Sequence, residues 1–444
     1  MKKVGLLSLG CAKNLVDSEV MLGTLRRQGY ALTAEAETAD VVIVNTCGFI
    51  ESAKEESIQA ILDMAELKKQ GQLQKLIVTG CLSQRYHSEM EKELPEVDAF
   101  LGINAPAQIA QLLKSDSPEL PETWDPSYLY SAQDERVLAT AKHSAYVKIS
   151  EGCDHVCSFC IIPKLRGQHR SRTIEDIVRE VEFLGANGVR EINLVAQDST
   201  YYGRDLGLKD GLAQLLERLD QVPNIAWVRV HYMYPYQVTP RLLEIMSAGK
   251  KICPYMDMPL QHADKSVLSA MKRGSGRHQL SQFLERIRKG FPQAFIRSSF
   301  IVGFPNEDQR AFDELCGFVQ EQEFDYLGVF TYSLEEDTSA FPLEDPIDPS
   351  LKKERKETLL ELQREISRKK LARLVGKTLD VLVEGAHPET DLLLRGRHAG
   401  QAPEVDGEVL ITEGSYAPGE IIPITVEASY EYDIAGRVQG GFAV

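Results

Sequence analysis

Three cysteines lie within eight residues of one another in the segment EGCDHVCSFC. Cys153, Cys157 and Cys160, here called the motif triad, have the spacing Cys-x3-Cys-x2-Cys. Cysteine thiolates commonly hold four-iron clusters, whereas a structural zinc site is closed by four protein ligands, and His155 is too close to the cysteines for a usual zinc-finger pattern. We therefore predict a four-iron cluster with one iron left free to bind a substrate or cofactor, and a structural zinc site is the alternative.

A second set of three cysteines is spread over the first part of the chain. Cys11, Cys47 and Cys81, here called the sheet triad, each follow a short apolar run: KVGLLSLG, DVVIVNT and QKLIVTG. Such runs are typical of strands buried in a parallel sheet. The carboxyl ends of parallel strands share one edge, so we expect these thiols to converge there. Three buried structural thiols are the alternative, but they would not explain the shared position at strand ends.

The composition limits the class of protein. Hydrophobic residues make up 43% of the 444 residues, which favours a folded core, and no apolar run of about 18 residues predicts a membrane span. The N-terminal apolar run is short and Lys13 follows it, which is typical of a first strand and not of a signal peptide. We expect a cytoplasmic protein, in which clustered cysteines indicate metal or redox chemistry. Cys253 and Cys316 lack partners at metal-binding spacing and are expected to be core thiols.

The order of predicted elements divides the chain into three domains of overall α/β class. Residues 1–117 alternate strands and helices as in a flavodoxin-like parallel sheet, and 118–138 is a predicted linker. Residues 139–375 contain six strand–helix units, an open and partial (β/α)6 version of the α/β barrel, and end in a charged connecting helix. Residues 376–444 have short strands with glycine turns and are expected to form a small all-β barrel.

The segment GCDHVCSFCIIPKLRGQHRSR resembles the cluster-binding motif of the radical S-adenosylmethionine (SAM) superfamily. In that superfamily the open iron binds SAM, which is cleaved to a 5′-deoxyadenosyl radical. Over essentially the whole chain, the domain order resembles the methylthiotransferases, which have an auxiliary-cluster domain, a radical SAM domain and a TRAM domain.

This resemblance implies two 4Fe–4S clusters, a SAM cluster on the motif triad and an auxiliary cluster on the sheet triad. It also implies two SAM molecules per turnover, one for the methyl group and one for the radical. A reduced flavodoxin or ferredoxin is the implied electron donor, and the sulfur donor is not assigned.

Contacts to SAM are predicted at two strand ends. In LVAQDS, Gln197 and Asp198 occupy a place where the superfamily often binds the SAM amine, although Asp198 could instead cap a helix. In IVGFP, Gly303 could allow close approach to the adenine or simply shape the end of the strand. His262 is assigned no role and is expected to be a hydrogen-bonded loop residue. No catalytic residue beyond the cluster cysteines is assigned.

Two branches of the family act on different substrates. The RimO type methylthiolates the β-carbon of an aspartate of small-subunit ribosomal protein S-twelve, and the MiaB type modifies an adenosine of transfer RNA. GCAKN and NTCGFIESAKEES resemble the RimO type, because the RNA branch tends to have Gln-Met-Asn after its first cysteine.

Charge favours the same branch. Residues 377–444 contain four Lys or Arg and twelve Asp or Glu, a net charge of −8, which repels RNA and suits a basic protein. Glu404, Asp406 and Glu413 are among the acidic residues expected on that surface. The alternative for this acidic surface is that it is solvated and has no binding role. The alternative for the protein as a whole is a non-catalytic iron–sulfur or zinc scaffold that does not cleave SAM.

Overall fold

The computed structural model describes residues 2–114 and 124–438. The first part of the predicted linker, up to residue 123, lies outside the described residues, and residues 124–138 contain neither helix nor strand. No helix in the two described ranges is long and apolar enough to cross a membrane.

The N-terminal domain is a five-stranded parallel sheet with helices on both faces. Its strand order β2-β1-β3-β4-β5 is the flavodoxin-like order that the sequence predicts. The strands are β1 (Lys3–Ser8), β2 (Ala31–Thr33), β3 (Val41–Thr46), β4 (Lys75–Gly80) and β5 (Ala99–Phe100). The helices are α1 (Ala12–Arg27), α2 (Glu51–Lys69), α3 (Cys81–Glu93) and α4 (Ala105–Lys114). Both faces of β3 are buried, which explains why its sequence is a continuous apolar run without alternation.

The central domain contains six parallel strands in two sheets of three, β10-β9-β6 and β11-β12-β13. These strands are β6 (Ser144–Lys148), β9 (Glu191–Val195), β10 (Trp227–Val230), β11 (Tyr255–Asp257), β12 (Phe295–Val302) and β13 (Tyr326–Thr331). A short antiparallel pair, β7 (Ser150–Glu151) and β8 (Arg170–Ser171), flanks the motif triad and helix α5 (Ile162–Arg166). The remaining helices are α6 (Ile174–Ala186), α7 (Gly211–Leu219), α8 (Pro240–Ala248), α9 (Lys265–Ala270), α10 (Arg277–Gly290) and α11 (Gln309–Gln322).

This arrangement confirms the predicted partial barrel. A single parallel bridge between Val228 and Ile252 links the two sheets. One large core of Ile, Leu, Val and Phe side chains lies between the strands and the outer helices. The carboxyl ends of all six strands therefore face the same side of the domain, where the motif triad begins.

The C-terminal domain is a closed barrel with the strand order β14-β15-β16-β18-β17. Helix α12 (Pro349–Ala372) leads into it, and its strands are β14 (Thr378–His387), β15 (Thr390–His398), β16 (Val409–Ile411), β17 (Ile421–Ser429) and β18 (Ile434–Val438). The barrel interior is filled by Val and Ile side chains, and Leu371 of α12 packs against them.

The loop after β15 packs against the amino ends of the central strands. Arg229 of β10 donates to the Ala399 carbonyl at 2.8 Å, and Tyr255 of β11 donates to the Asp406 carboxylate at 2.7 Å. The small barrel thus covers the end of the central barrel opposite to the cysteines. The carboxyl end of the central barrel faces the N-terminal domain.

Candidate functional site

The sheet triad lies at the carboxyl edge of the first sheet. Cys11 precedes α1, Cys47 follows β3, and Cys81 is the first residue of α3. Gly10 has φ +87°, and a Cβ atom there would lie 2.9 Å from the Cys47 Sγ, so the chain passes this thiol only because the residue is glycine. Burial raises the pKa of the Cys47 thiol to about 12, and neighbouring Cys81 and Cys11 add to that shift. The structure thus brings the three thiols together at the predicted edge.

The motif triad lies on a loop between β7 and α5. The Cys153 amide donates to the Gly167 carbonyl at 3.0 Å, and the Cys160 amide donates to the Cys157 carbonyl at 3.2 Å. Burial, together with the neighbouring thiols of Cys157 and Cys153, raises the pKa of the Cys160 thiol to about 12. The loop backbone therefore holds three thiols in one place.

Among the described residues, neither cysteine triad is arranged as a site for a single metal ion. Within the described ranges, no three His, Cys, Asp or Glu side chains are placed to share one metal ion, as a zinc site would require. In a four-iron cluster each thiolate binds a different iron, so its ligands are spaced more widely. The ligand role of both triads stays a prediction.

A guanidinium lies between the two cysteine-bearing segments. Arg166 of α5 is buried, and its Nη2 donates to Asn14 at 2.6 Å and to the Cys81 Sγ at 3.4 Å. Its Nη1 donates to Glu151 at 3.0 Å and to Asp17 at 3.2 Å. Arg166 is not among the site residues predicted from the sequence, although its place within the motif segment was a signal for it.

A second cation completes this buried network. Lys148 of β6 pairs with Asp17 and, at 2.6 Å, with Glu151. Burial alone would raise the pKa of Glu151, but Arg166 and Lys148 hold it well below its ordinary value. The network is thus two cations facing two carboxylates across the junction of the first two domains.

The predicted SAM contacts at the end of β9 lie beside the motif triad. Gln197 donates to Glu151 at 2.7 Å, and its Oε1 is buried without a hydrogen-bond partner among the described residues. One oxygen of Asp198 accepts from the Thr200 amide at 2.8 Å, which is the capping role foreseen as the alternative. Its other oxygen lies 2.6 Å from the His155 Nε2. The side chain of Asp198 is therefore occupied on both oxygens.

His155 and Arg273 are two neighbours of the motif triad that were assigned no role from the sequence. The His155 ring stacks on the Tyr234 ring with centroids 4.0 Å apart, and the Arg273 guanidinium lies 4.2 Å from the same ring centroid. Arg273 also donates to the Cys157 Sγ at 3.5 Å. A cation and an aromatic platform therefore flank the loop that carries the three thiols.

Gly303 directly follows β12 and has φ +76°, a backbone conformation that favours glycine. Its amide donates to Glu307 at 2.9 Å, and a Cβ atom would lie 2.3 Å from the Cγ of Lys352 on α12. His262 is fully buried, accepts from the Asp264 amide at 2.9 Å and lies 3.3 Å from Glu307, as expected for a hydrogen-bonded loop histidine. The glycine is therefore needed for packing, whatever else it contacts.

Three family models match the chain in the predicted order. They are the uncharacterized protein family UPF0004 at residues 3–102, the radical SAM superfamily at 147–319 and the TRAM domain at 375–438. Among solved structures, the radical SAM methyltransferase TsrM from Kitasatospora setae matches with a TM-score of 0.52 and 12% identity over 75% of this chain and 73% of that chain. The apo form of the cobalamin-dependent radical enzyme OxsB matches with a TM-score of 0.53 and 12% identity over 81% and 56%. At this identity the two structures support the fold alone.

Relatives that match nearly the full length are far more similar. Proteins named ribosomal protein uS12 methylthiotransferase RimO are 49% identical in Myxococcus xanthus, over 98% of this chain and 92% of the relative. The relatives in Koribacter versatilis and Bdellovibrio bacteriovorus are 46% and 47% identical over 98% of this chain and 96% and 97% of their own length. Because the similarity extends over all three domains, the chain belongs to the RimO family of ribosomal protein uS12 methylthiotransferases.

Proposed function

We propose that this protein is a radical SAM methylthiotransferase that attaches a methylthio group to the β-carbon of an aspartate of ribosomal protein uS12. The observation that carries the proposal is 46–49% identity over 98% of the chain to relatives with that name. The acidic C-terminal module supports a basic protein substrate over RNA. We also propose the domain limits 1–117, 139–375 and 376–444, and the cytoplasm as location.

We infer that each cysteine triad holds one 4Fe–4S cluster. The residues fit such a group, because each triad is in contact with a buried guanidinium, Arg166 at Cys81 and Arg273 at Cys157. A neighbouring cation stabilises the thiolate form that a metal ligand requires. Bound there, the clusters would supply an electron and an open iron for SAM at the motif triad and a site for the transferred sulfur at the sheet triad.

We infer that Gln197, Asp198 and Gly303 border the SAM site. The support is their shared place at the carboxyl end of the barrel and the unpartnered, buried Oε1 of Gln197. Asp198 would act partly through His155, which lies two residues from Cys153 and Cys157. We expect two SAM molecules per turnover and a reduced flavodoxin or ferredoxin as the electron donor.

Mass spectrometry of uS12 tests the function directly. Purified uS12 is incubated anaerobically with the reconstituted enzyme, SAM and a reductant, and we expect one methylthio group on one aspartate. Transfer RNA incubated in parallel should stay unmodified. Modified transfer RNA with unmodified uS12 would contradict the proposed substrate while leaving the radical chemistry intact.

Iron content and SAM cleavage in cysteine variants test the two triads. We expect about eight irons per chain in the wild type and about four in Cys157→Ala and in Cys81→Ala. Cys157→Ala should form no 5′-deoxyadenosine, whereas Cys81→Ala should still form it but give no methylthio product. Cys316→Ala is the matched control, because this thiol lies outside both triads and should keep all the iron. A wild type with four irons, unchanged by Cys47→Ala, would contradict the two-cluster assignment.

A further inference from the structure

Lys13 is a cation without a carboxylate partner at the junction of the first two domains. Its Nζ lies 3.7 Å from the centroid of the Tyr232 ring, and it forms no ion pair with any carboxylate in the described part of the chain. The nearby cations Arg166 and Lys148 are instead neutralised by two carboxylates each. The Cys11 thiol and Glu151 also attract this ammonium, but among the described residues neither forms an ion pair or a hydrogen bond with it.

The position of Lys13 relates it to both cysteine triads. It is the second residue of α1, two positions after Cys11, in the N-terminal domain. Tyr232 follows β10 at the carboxyl end of the central barrel. Apolar residues of α1, such as Val16, pack with Tyr146 of β6 and Val195 of β9. The ammonium therefore lies where the edge of the first sheet meets the mouth of the barrel.

The ring below Lys13 is held in place by an uncommon backbone conformation. Tyr232 has φ +57°, which aromatic residues rarely adopt. Its amide donates to the buried Asp257 carboxylate at 3.1 Å, and its carbonyl accepts from the Ser199 amide at 3.0 Å. Strained residues that are fixed from several sides cluster at functional sites. The two backbone hydrogen bonds hold Tyr232 in this conformation, and with it the ring that contacts the Lys13 ammonium.

We propose that Lys13 binds the side-chain carboxylate of the substrate aspartate, an inference that rests on the proposed function. The carbon to be methylthiolated is bonded directly to that carboxylate, so a cation beside the reacting position would orient it. Lys13 is the nearby ammonium with no carboxylate of its own among the described residues, and it is two residues from a cysteine of the sheet triad. Lysine binds a carboxylate as a compact point charge.

The carboxylate could come from two sources, since SAM also carries one on its methionine part. The two sources differ in what the loss of Lys13 would change. If the carboxylate belongs to uS12, then SAM binding and 5′-deoxyadenosine formation without uS12 should be the same in Lys13→Met as in the wild type. If it belongs to SAM, both should fall, and the proposal would be wrong.

The test measures binding of purified uS12, and of uS12 with asparagine in place of the modified aspartate, to the reconstituted enzyme in the presence of SAM. Lys13→Met keeps an apolar stem of similar length and removes the charge. We expect it to weaken binding of native uS12 by about 10- to 100-fold, the usual effect of losing a hydrogen bond to a charged group. The asparagine protein should bind the wild type weakly and lose little more with Lys13→Met, because the two changes remove the same contact.

Two further variants control for structure and for general charge. Lys13→Arg keeps the positive charge and should retain most of the affinity. Lys69→Met removes an exposed lysine of the same domain that pairs with Glu96, and it should bind uS12 as the wild type does. Iron content and the thermal midpoint of each variant show that it is folded.

The outcomes separate this proposal from the proposed function. One outcome is that the wild type modifies uS12 while the ratio of its affinities for the aspartate and asparagine proteins is unchanged in Lys13→Met. In that case the assignment of Lys13 is wrong and the proposed function stands. This includes the case in which Lys13→Met weakens binding of both proteins equally, because that result indicates a structural effect. If the wild type neither binds nor modifies uS12, the function and this assignment both fail.

Discussion

Arg166 is the residue whose contacts connect the two cysteine-bearing domains. It is buried together with Lys148, Asp17 and Glu151, so four charges are removed from water at one place. Such burial is costly unless every charge is paired, and here two cations face two carboxylates. The donors left over on Arg166 bind Asn14 and the Cys81 thiol. The residue therefore has a structural role as well as contact with a predicted cluster ligand.

Replacing Arg166 with Met should strongly destabilise the protein. Asp17 and Glu151 would then share Lys148 alone, and one buried carboxylate would lack a partner. Breaking a buried pair in this way costs about 3–5 kcal/mol of the free energy of unfolding, which urea denaturation followed by circular dichroism can measure. Arg179→Met is the matched control, because Arg179 is 61% exposed and pairs with Asp176 at 3.4 Å, and its effect should stay within about 0.5 kcal/mol. Equal midpoints for the two variants would show that the network does not stabilise the fold.

Helix α12 is more than a connection between the second and third domains. It crosses the carboxyl end of β12, where Arg355 pairs with the fully buried Glu307 at 2.8 Å and Lys352 donates to the Tyr332 carbonyl at 3.2 Å. Two of its cations are thus buried against the barrel, although the sequence shows a helix that is basic along much of its length. Glu307 also accepts from the Gly303 amide, so the helix and the strand end are held by one carboxylate.

Gly303→Ala should therefore destabilise the protein through both sterics and backbone conformation. The new Cβ would lie 2.3 Å from the Lys352 Cγ, and the residue would keep φ +76°. We expect a loss of about 2–4 kcal/mol in unfolding free energy from overpacking and positive φ together. Gly376→Ala is a matched control with φ +84° and nothing within 4 Å of the new Cβ, and it should lose only about 1 kcal/mol. Equal losses in urea denaturation would show that Lys352 simply moves aside.

In the whole molecule, the two ends of the central barrel lie in different environments. At the amino end, the fully buried Glu191 pairs with Arg397 of the small barrel at 2.6 Å and with Arg229 at 3.1 Å. Asp406 belongs to this interface and not to the acidic surface on which we expected it: burial raises its pKa, and its side chain is 0% exposed. Glu404 and Glu413 are exposed, so the acidic surface persists without Asp406.

The same interface should make stability depend on pH through His398. Burial, with Arg229 and Arg397 nearby, lowers the pKa of His398 to about 3, whereas an unfolded histidine titrates near pH 6.5. Between these values the unfolded chain binds a proton that the folded chain does not, so stability falls as pH falls from about 6.5 towards 3. His398→Asn should remove about 1 kcal/mol of the loss in unfolding free energy between pH 7.5 and 5.5. Urea denaturation at both pH values checks this, and an unchanged pH dependence in the variant would contradict it.

The sequence by itself determined the order of the three domains and the type of each sheet, and it singled out the six cysteines that are the predicted cluster ligands. These features follow from patterns that are local in the chain: the Cys-x3-Cys-x2-Cys spacing, continuous apolar runs and a cysteine directly after each of three strands. The convergence of Cys11, Cys47 and Cys81 was also within reach, because parallel strands bring their carboxyl ends to one edge whatever surrounds them.

Only the tertiary structure decided which side chains meet between the domains. Arg166 and Cys81 are 85 positions apart, and Arg397 and Glu191 are 206 apart. Lys13 meets Tyr232 because α1 packs on the barrel mouth. No local pattern encodes such pairs, because they depend on how the apolar faces of distant helices and strands pack and on where buried charges then find partners.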